Sequence, residues 1–146
     1  MNKFIPGIGI SDFRAFREAG CGYVDKSWLI SDLLAEPTLV YLFPRPRRFG
    51  KTISLSMLKY FLGISKDDSS HLFEGLSVWQ DERARKHFQK HPVISVTFKD
   101  VKAKTLAGTM AGIREQFALA FGEYQQLLDD NQLDSAVALR FRRILD

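Results

Sequence analysis

The sequence has little cysteine and no long apolar run, and both absences exclude whole classes of protein. Cys21 is the single cysteine in 146 residues, which excludes an internal disulfide and a cysteine-rich zinc site. No apolar run approaches the roughly 20 residues that span a bilayer, and no secretory signal opens the chain. With 45% hydrophobic and 26% charged residues, the sequence predicts a globular, cytoplasmic protein of one domain's length.

Positive charge is in slight excess, and it is concentrated in two places. The formal net charge is +4. The first basic cluster is formed by Arg45, Arg47, Arg48 and Lys51, and the second by Arg140, Arg142 and Arg143. A local basic cluster favours anion binding, either of nucleotide phosphate or of nucleic acid. For the second cluster, the solvated face of a helix is the simpler interpretation.

Apolar runs and turn residues predict an alternation of strands and helices. Residues 38–43 form an unbroken apolar run typical of a buried parallel strand, and residues 93–98 are a second strand candidate. Residues 52–62 and 106–128 predict helices. The predicted fold class is therefore α/β, helix-rich, with a parallel sheet core flanked by helices. It divides into a helical segment (1–37), a strand–loop–helix–strand core (38–104) and a helical region (105–146).

A variant of the phosphate-binding loop lies between the first predicted strand and the helix after it. The usual pattern is a glycine, four residues, and then Gly-Lys-Ser or Gly-Lys-Thr. Gly50, Lys51 and Thr52 match the second half of this pattern, whereas Arg45 stands at the first glycine. The predicted nucleotide-binding residues are Arg45, Pro46, Arg47, Arg48, Phe49, Gly50, Lys51, Thr52 and Ile53.

The chemistry of this loop suits a nucleoside triphosphate with magnesium. Backbone N–H groups at the start of a helix point towards an anion, and Gly50 lets the backbone approach it closely. Lys51 would place an ammonium on the outer phosphates, and the Thr52 hydroxyl would bind Mg²⁺, which keeps several of its waters. The sequence therefore predicts an incomplete P-loop NTPase domain with ATP and Mg²⁺ as its ligands.

The loop and several flanking segments resemble a known family. Six segments of the sequence are similar to the AAA-ATPase-like domain of bacteria and some archaea. They are residues 8–13, 23–26, 45–52, 55–61, 72–76 and 92–100. The resemblance implies a P-loop NTPase related to the STAND and archaeal ATPases, in which arginine already replaces the first loop glycine. Its members often carry a PD-(D/E)XK nuclease-like domain further along the chain.

One element of that family is missing from the sequence. The family has a later apolar strand ending in Asp-Glu, the Walker B element, whose acids serve Mg²⁺ and the attacking water. No such strand follows Val101, so the catalytic residues are unknown and we expect weak or absent hydrolysis by this chain. Asp100 is either a substitute acid or, more simply, a polar residue at a strand end. We expect the chain to be the N-terminal portion of a longer protein, whose remaining half or nuclease-like domain would be its partner.

Two further interpretations compete with nucleotide binding. The first is a nucleic-acid-binding module that uses the arginine-rich loop and the C-terminal basic cluster, with strongly salt-dependent affinity. The sequence has no basic strand interleaved with aromatic residues, which favours the nucleotide interpretation. The second is an inactive remnant that cannot complete its sheet and oligomerises or aggregates through exposed strand edges.

Two segments outside the loop have alternative interpretations. Asp25 and Lys26 fit a helix cap and a surface charge, or else they support the nucleotide site. Ile5, Pro6 and Ile8 precede the first predicted helix. In related ATPases such a segment often lines the base pocket, and core packing is the alternative.

Overall fold

The computed structural model describes residues 5–36, 38–44, 46, 49–99, 101–129 and 133–145. It divides into two compact units, with the boundary between Val93 and Ile94. The helices of the described ranges are α1 (Phe13–Glu18), α2 (Trp28–Ala35), α3 (Lys51–Leu62), α4 (Ser77–Gln80), α5 (Glu82–Arg85), α6 (Leu106–Gly122), α7 (Gln126–Asp129) and α8 (Ser135–Leu145), with a 3-10 turn at Ser70–Leu72. None of these helices combines the length and the apolar character that crossing a bilayer requires.

The predicted parallel sheet does not form. Within the described residues there is no β-strand, and the one parallel pairing there is an isolated bridge between Gly63 and His91. Residues 38–43 and 93–98, both predicted as strands, have no regular secondary structure. The predicted α/β fold class, an incomplete P-loop NTPase domain around a parallel sheet, is therefore wrong for this chain, which is helical.

The failure of the sheet has a physical reason. A strand satisfies its backbone N–H and C=O groups through a neighbouring strand, so an apolar, β-favouring run is not sufficient on its own. Leu39 is fully exposed and Val40 and Leu42 largely so, and the run pairs with no neighbouring strand among the described residues. The Tyr41 hydroxyl instead lies 3.1 and 2.8 Å from the carbonyl oxygens of Leu33 and Glu36 at the end of α2.

The core of the first unit is an aromatic cluster centred on Phe73. Phe73 is completely buried, and its ring centroid lies 5.2 Å from that of Phe13 in α1 and 5.0 Å from that of Phe61 in α3. Trp79 and Phe88 extend the cluster at centroid distances of 6.4 and 6.0 Å from Phe73. Aromatic pairs of this kind contribute about 0.5–1.5 kcal/mol each beyond the area that they bury.

A hydrogen-bonded network joins α1 to α3, the helix that follows the phosphate-binding loop. Asp12 caps α1 by accepting from the Ala15 N–H at 2.9 Å. Its second carboxylate oxygen accepts from the hydroxyls of Ser56 and Tyr60, at 2.9 and 3.1 Å. The Ser56 hydroxyl in turn accepts from the Phe13 N–H at 3.0 Å. The N-terminus of α1 is thereby fixed to one face of α3.

The second unit is built on the packing of α6 against α8. The Thr105 hydroxyl caps α6 by accepting from the Gly108 N–H at 3.1 Å. Helices α6 and α8 pack through an edge-to-face contact between Phe121 and Phe141, with centroids 5.1 Å apart. Phe141 is buried on α8, whereas the arginines of that helix are exposed.

Asp12→Ala should destabilise the first unit, by about 1–2 kcal/mol at neutral pH, because it removes the cap of α1 and the acceptor of Ser56 and Tyr60. Burial raises the pKa of Asp12, but hydrogen bonds from Ala15, Ser56 and Tyr60 outweigh it and hold the pKa below its ordinary value. A lowered pKa means that the ionised group stabilises the fold above its unfolded pKa of about 3.9. That contribution is lost as the pH falls through the lower, folded value.

Urea unfolding of the wild type and the variant, at neutral pH and in a series below about pH 5, measures both effects. The difference between the two proteins should be largest at neutral pH and should shrink on acidification. Asp32→Ala, an exposed site on α2, is the matched control and should change stability by less than about 0.5 kcal/mol. A loss for Asp12→Ala no larger than that of the control would contradict the assigned network.

Candidate nucleotide site

The loop turns into α3 at Gly50, as the sequence predicts, and α3 begins one residue before the predicted start. Gly50 has φ 76° and ψ 20°, a left-handed conformation, and occupies the N-cap position of α3. L-residues with a Cβ adopt that conformation at a cost, so glycine is the suitable residue here. The Gly50 carbonyl accepts the first helical hydrogen bond from the Ser54 N–H at 2.9 Å. In an α-helix the N–H groups of the first turn have no partner within the helix itself, and they face its N-terminal end.

Lys51 and Thr52 lie in the first turn of α3 and are exposed. The Lys51 ammonium donates to the Pro46 carbonyl at 3.4 Å, so the side chain folds back over the loop. Ile53 is half-buried and packs against the aromatic core, and Phe49 is 57% exposed. Of the predicted binding residues, Arg45, Arg47 and Arg48 lie outside the described residues.

Lys26, from a segment well upstream, reaches the same loop. Its ammonium donates to the Phe49 carbonyl at 3.4 Å. A Cβ built on Gly50 would stand 3.7 Å from the Lys26 nitrogen. Lys26 therefore lies next to the loop, whereas its support for a nucleotide site stays a prediction.

The backbone on both sides of Lys26 is held by hydrogen bonds. Asp25 accepts from the Ser27 N–H and from the Ser77 N–H, each at 2.8 Å, and also from the Ser77 hydroxyl. Burial raises the pKa of Asp25, but the hydrogen bonds from Ser77 and Ser27 outweigh it and lower the pKa. Ser27 is completely buried, and its hydroxyl accepts from the Val78 N–H at 3.1 Å. Asp25 therefore ties this segment to the start of α4.

A cavity of about 160 Å³ opens beside the loop, and Lys26 and Lys51 both line it. The rest of its described wall is mostly apolar and comes from Trp28, Leu29, Phe43, Phe49, Ser54, Leu55 and Leu58. An apolar cavity of about 150 Å³ holds one benzene molecule, so this one is of the size that takes an aromatic ring. None of the apolar residues outside the loop was predicted to line a site, because their meeting depends on tertiary packing.

The other predicted residues have different outcomes. Ile5 and Ile8 are exposed, so the core-packing alternative is wrong for them, and contact with a base stays a prediction. Arg140, Arg142 and Arg143 are exposed on α8, as the solvated-face interpretation predicts. Asp100 lies outside the described residues.

A magnesium ion would have few protein ligands at this site. The described part of the chain contains no cluster of three or more His, Cys, Asp or Glu side chains able to hold a metal ion. Thr52, whose side chain is exposed, is the residue that the sequence predicts to bind the metal, through its hydroxyl. Mg²⁺ accepts such a site when phosphate oxygens and water complete its octahedron.

Comparison with known proteins gives a family match over nearly the whole chain. The model of a family described as "Predicted AAA-ATPase" matches residues 7–146. A protein of Azotobacter chroococcum mcd 1, described as "Uncharacterized protein in vnfD 5'region", is 37% identical over 101 residues, which make up 66% of this chain and 17% of that protein. The chain thus matches a small part of that relative's length. No solved structure matches the chain.

Replacement of Gly50 tests the loop conformation. Gly50→Ala should destabilise the first unit by about 1–2 kcal/mol, the cost of a left-handed conformation for a residue with a Cβ. Gly50→Asn should lose less, because asparagine tolerates this conformation best among the residues with a Cβ. Chemical unfolding of the three proteins measures the order. Equal stabilities for the alanine and glycine proteins would show that residue 50 is not left-handed in solution.

Proposed function

We propose that this chain, which belongs to the family of predicted AAA-ATPases, binds ATP together with Mg²⁺ at the start of α3. The observation that carries the proposal is the left-handed Gly50 at the N-cap of a twelve-residue helix, with Lys51 and Thr52 in its first turn. The first-turn N–H groups, the positive end of the helix dipole and an ammonium all lie there. This combination suits a polyphosphate better than any other common ligand.

Each residue of the loop has a defined task in this proposal. The first-turn N–H groups bind phosphate oxygens, and Gly50 leaves room for their approach. Lys51 turns from its 3.4 Å contact with the Pro46 carbonyl to the outer phosphates, because a charged phosphate oxygen is a stronger acceptor for an ammonium than a neutral carbonyl is. By sequence, Arg45, Arg47 and Arg48 add to the positive charge of the loop segment. The aromatic-lined cavity beside Lys51 is suited to the base.

The metal is expected to bind only together with the nucleotide. Thr52 supplies one hydroxyl ligand, and the described residues supply no cluster of acids around it. Without the phosphates, Mg²⁺ would exchange one of its bound waters for a single neutral hydroxyl oxygen, and Mg²⁺ gives up its waters reluctantly. The ion's role would be to neutralise charge on the outer phosphates, and this chain's contribution is to hold them in place.

Nucleotide binding is proposed without efficient turnover. Hydrolysis needs an acid that orients or polarises the attacking water, and the sequence after Val101 has no apolar strand ending in such an acid. The chain would then act as a nucleotide-dependent switch, in which the bound and free states of the loop differ.

Titration calorimetry tests the proposal with ATP, with Mg²⁺ alone, and with both. Wild-type protein should bind ATP most tightly in the presence of Mg²⁺ and should give no heat with Mg²⁺ alone. Lys51→Ala should weaken ATP binding about tenfold or more, since it removes a charged hydrogen bond to phosphate.

The control for Lys51→Ala is Lys66→Ala, which removes an exposed lysine that does not line the cavity. The control should bind ATP as the wild type does. A wild-type protein without measurable affinity for ATP and Mg²⁺ would refute the proposed function. Equal losses in the two lysine variants would remove Lys51 from the site.

A further inference from the structure

We infer that Lys26 is a second phosphate-binding cation of the nucleotide site, an inference that rests on the proposed function. The sequence pattern of the loop does not include this residue, which precedes Phe49 by 23 positions.

The Lys26 ammonium lies directly beside the anion-facing part of the loop. It is 3.4 Å from the Phe49 carbonyl oxygen and 3.7 Å from the point where a Cβ on Gly50 would stand. Gly50 is the residue at which the backbone can come closest to a phosphate, because it has no side chain. An anion seated against Gly50 therefore lies within reach of the Lys26 ammonium.

The backbone of Lys26 is well positioned for such a task. The residues on both sides of it are fixed to the start of α4, Asp25 through Ser77 and Ser27 through Val78. The Lys26 carbonyl accepts from the Leu29 N–H at 3.1 Å at the beginning of α2. Because the main chain is held, a smaller loss of freedom accompanies the binding of a ligand by this side chain.

The charge around the cavity favours an anion. Lys26 and Lys51 line the same cavity, and the described residues of its wall include no aspartate or glutamate. Both ammonium groups would attract an anion in the cavity, and the attraction is stronger beside an apolar wall than in bulk water. The contact with the Phe49 carbonyl uses one of the three N–H bonds of the Lys26 ammonium, so the others can donate to phosphate.

The alternative role of Lys26 is to brace the loop through the Phe49 carbonyl without touching a ligand. Two substitutions separate the roles. Lys26→Gln keeps an amide N–H that can donate to a carbonyl but removes the charge, whereas Lys26→Arg keeps the charge. Lys66→Gln is the matched control for the loss of one positive charge elsewhere in the same unit.

The experiment measures the affinity of the whole chain for ATP with Mg²⁺ at several salt concentrations. For a phosphate-binding Lys26, the glutamine variant should bind about tenfold more weakly at low salt, and the loss should shrink as salt screens the charge. The arginine variant and Lys66→Gln should bind nearly as the wild type does. Unchanged melting temperatures of the unliganded proteins would show that the loss is not one of folding.

Three outcomes would overturn the inference while leaving nucleotide binding intact. In the first, Lys26→Gln binds ATP as tightly as the wild type does. In the second, its loss of affinity does not depend on the salt concentration. In the third, Lys66→Gln loses as much affinity as Lys26→Gln. If Lys26→Gln were too unstable to measure, Lys26→Arg against Lys26→Met gives the same contrast of charge. A wild type that does not bind ATP, by contrast, refutes the proposed function itself, so the two failures are distinguishable.

Discussion

The first unit depends on the burial of one aromatic ring. Phe73 is completely buried between Phe13 of α1 and Phe61 of α3, and Trp79 and Phe88 pack on its other sides. Truncation of such a ring costs about 3–5 kcal/mol, a large part of the stability of an ordinary small domain. The described residues of this unit form no sheet, so this aromatic cluster is the surface on which its helices pack. It fixes the direction of α3 and with it the position of the loop that precedes that helix.

Polar contacts then set the orientation that the aromatic core leaves open. Apolar packing is tolerant of small rotations, whereas hydrogen bonds to a carboxylate are directional. Asp12 joins α1 to α3 through Ser56 and Tyr60, and Asp25 joins the start of α2 to Ser77. Both carboxylates come from segments before the loop and act on elements that surround it. The nucleotide site proposed here is therefore supported by the N-terminal third of the chain.

The sequence predicted local features well and long-range ones poorly. The end of α3 at Gly63 and the start of α6 at Leu106 follow from glycine and from helix periodicity, which are properties of neighbouring residues. The sheet was wrong because residues 38–43 and 93–98 are β-favouring only by composition, and pairing depends on groups distant in sequence. For the same reason the loop was found from its own pattern, whereas the cavity wall at Trp28 and Phe43 was not. The sequence offers Lys26 as a candidate, but only the fold shows that its ammonium lies beside the loop.

The position of Trp28 gives the protein an optical reporter of its own. The indole is 47% exposed and forms part of the cavity wall together with Lys26 and Lys51. The chain's other tryptophan, Trp79, stacks on Phe73 and is partly buried against the core. Indole emission depends on the polarity and contacts of the ring, so a base or phosphate entering the cavity would alter one fluorophore and leave the other as an internal standard. Occupancy of the cavity can thus be followed by light, without a label on the protein or on its ligand.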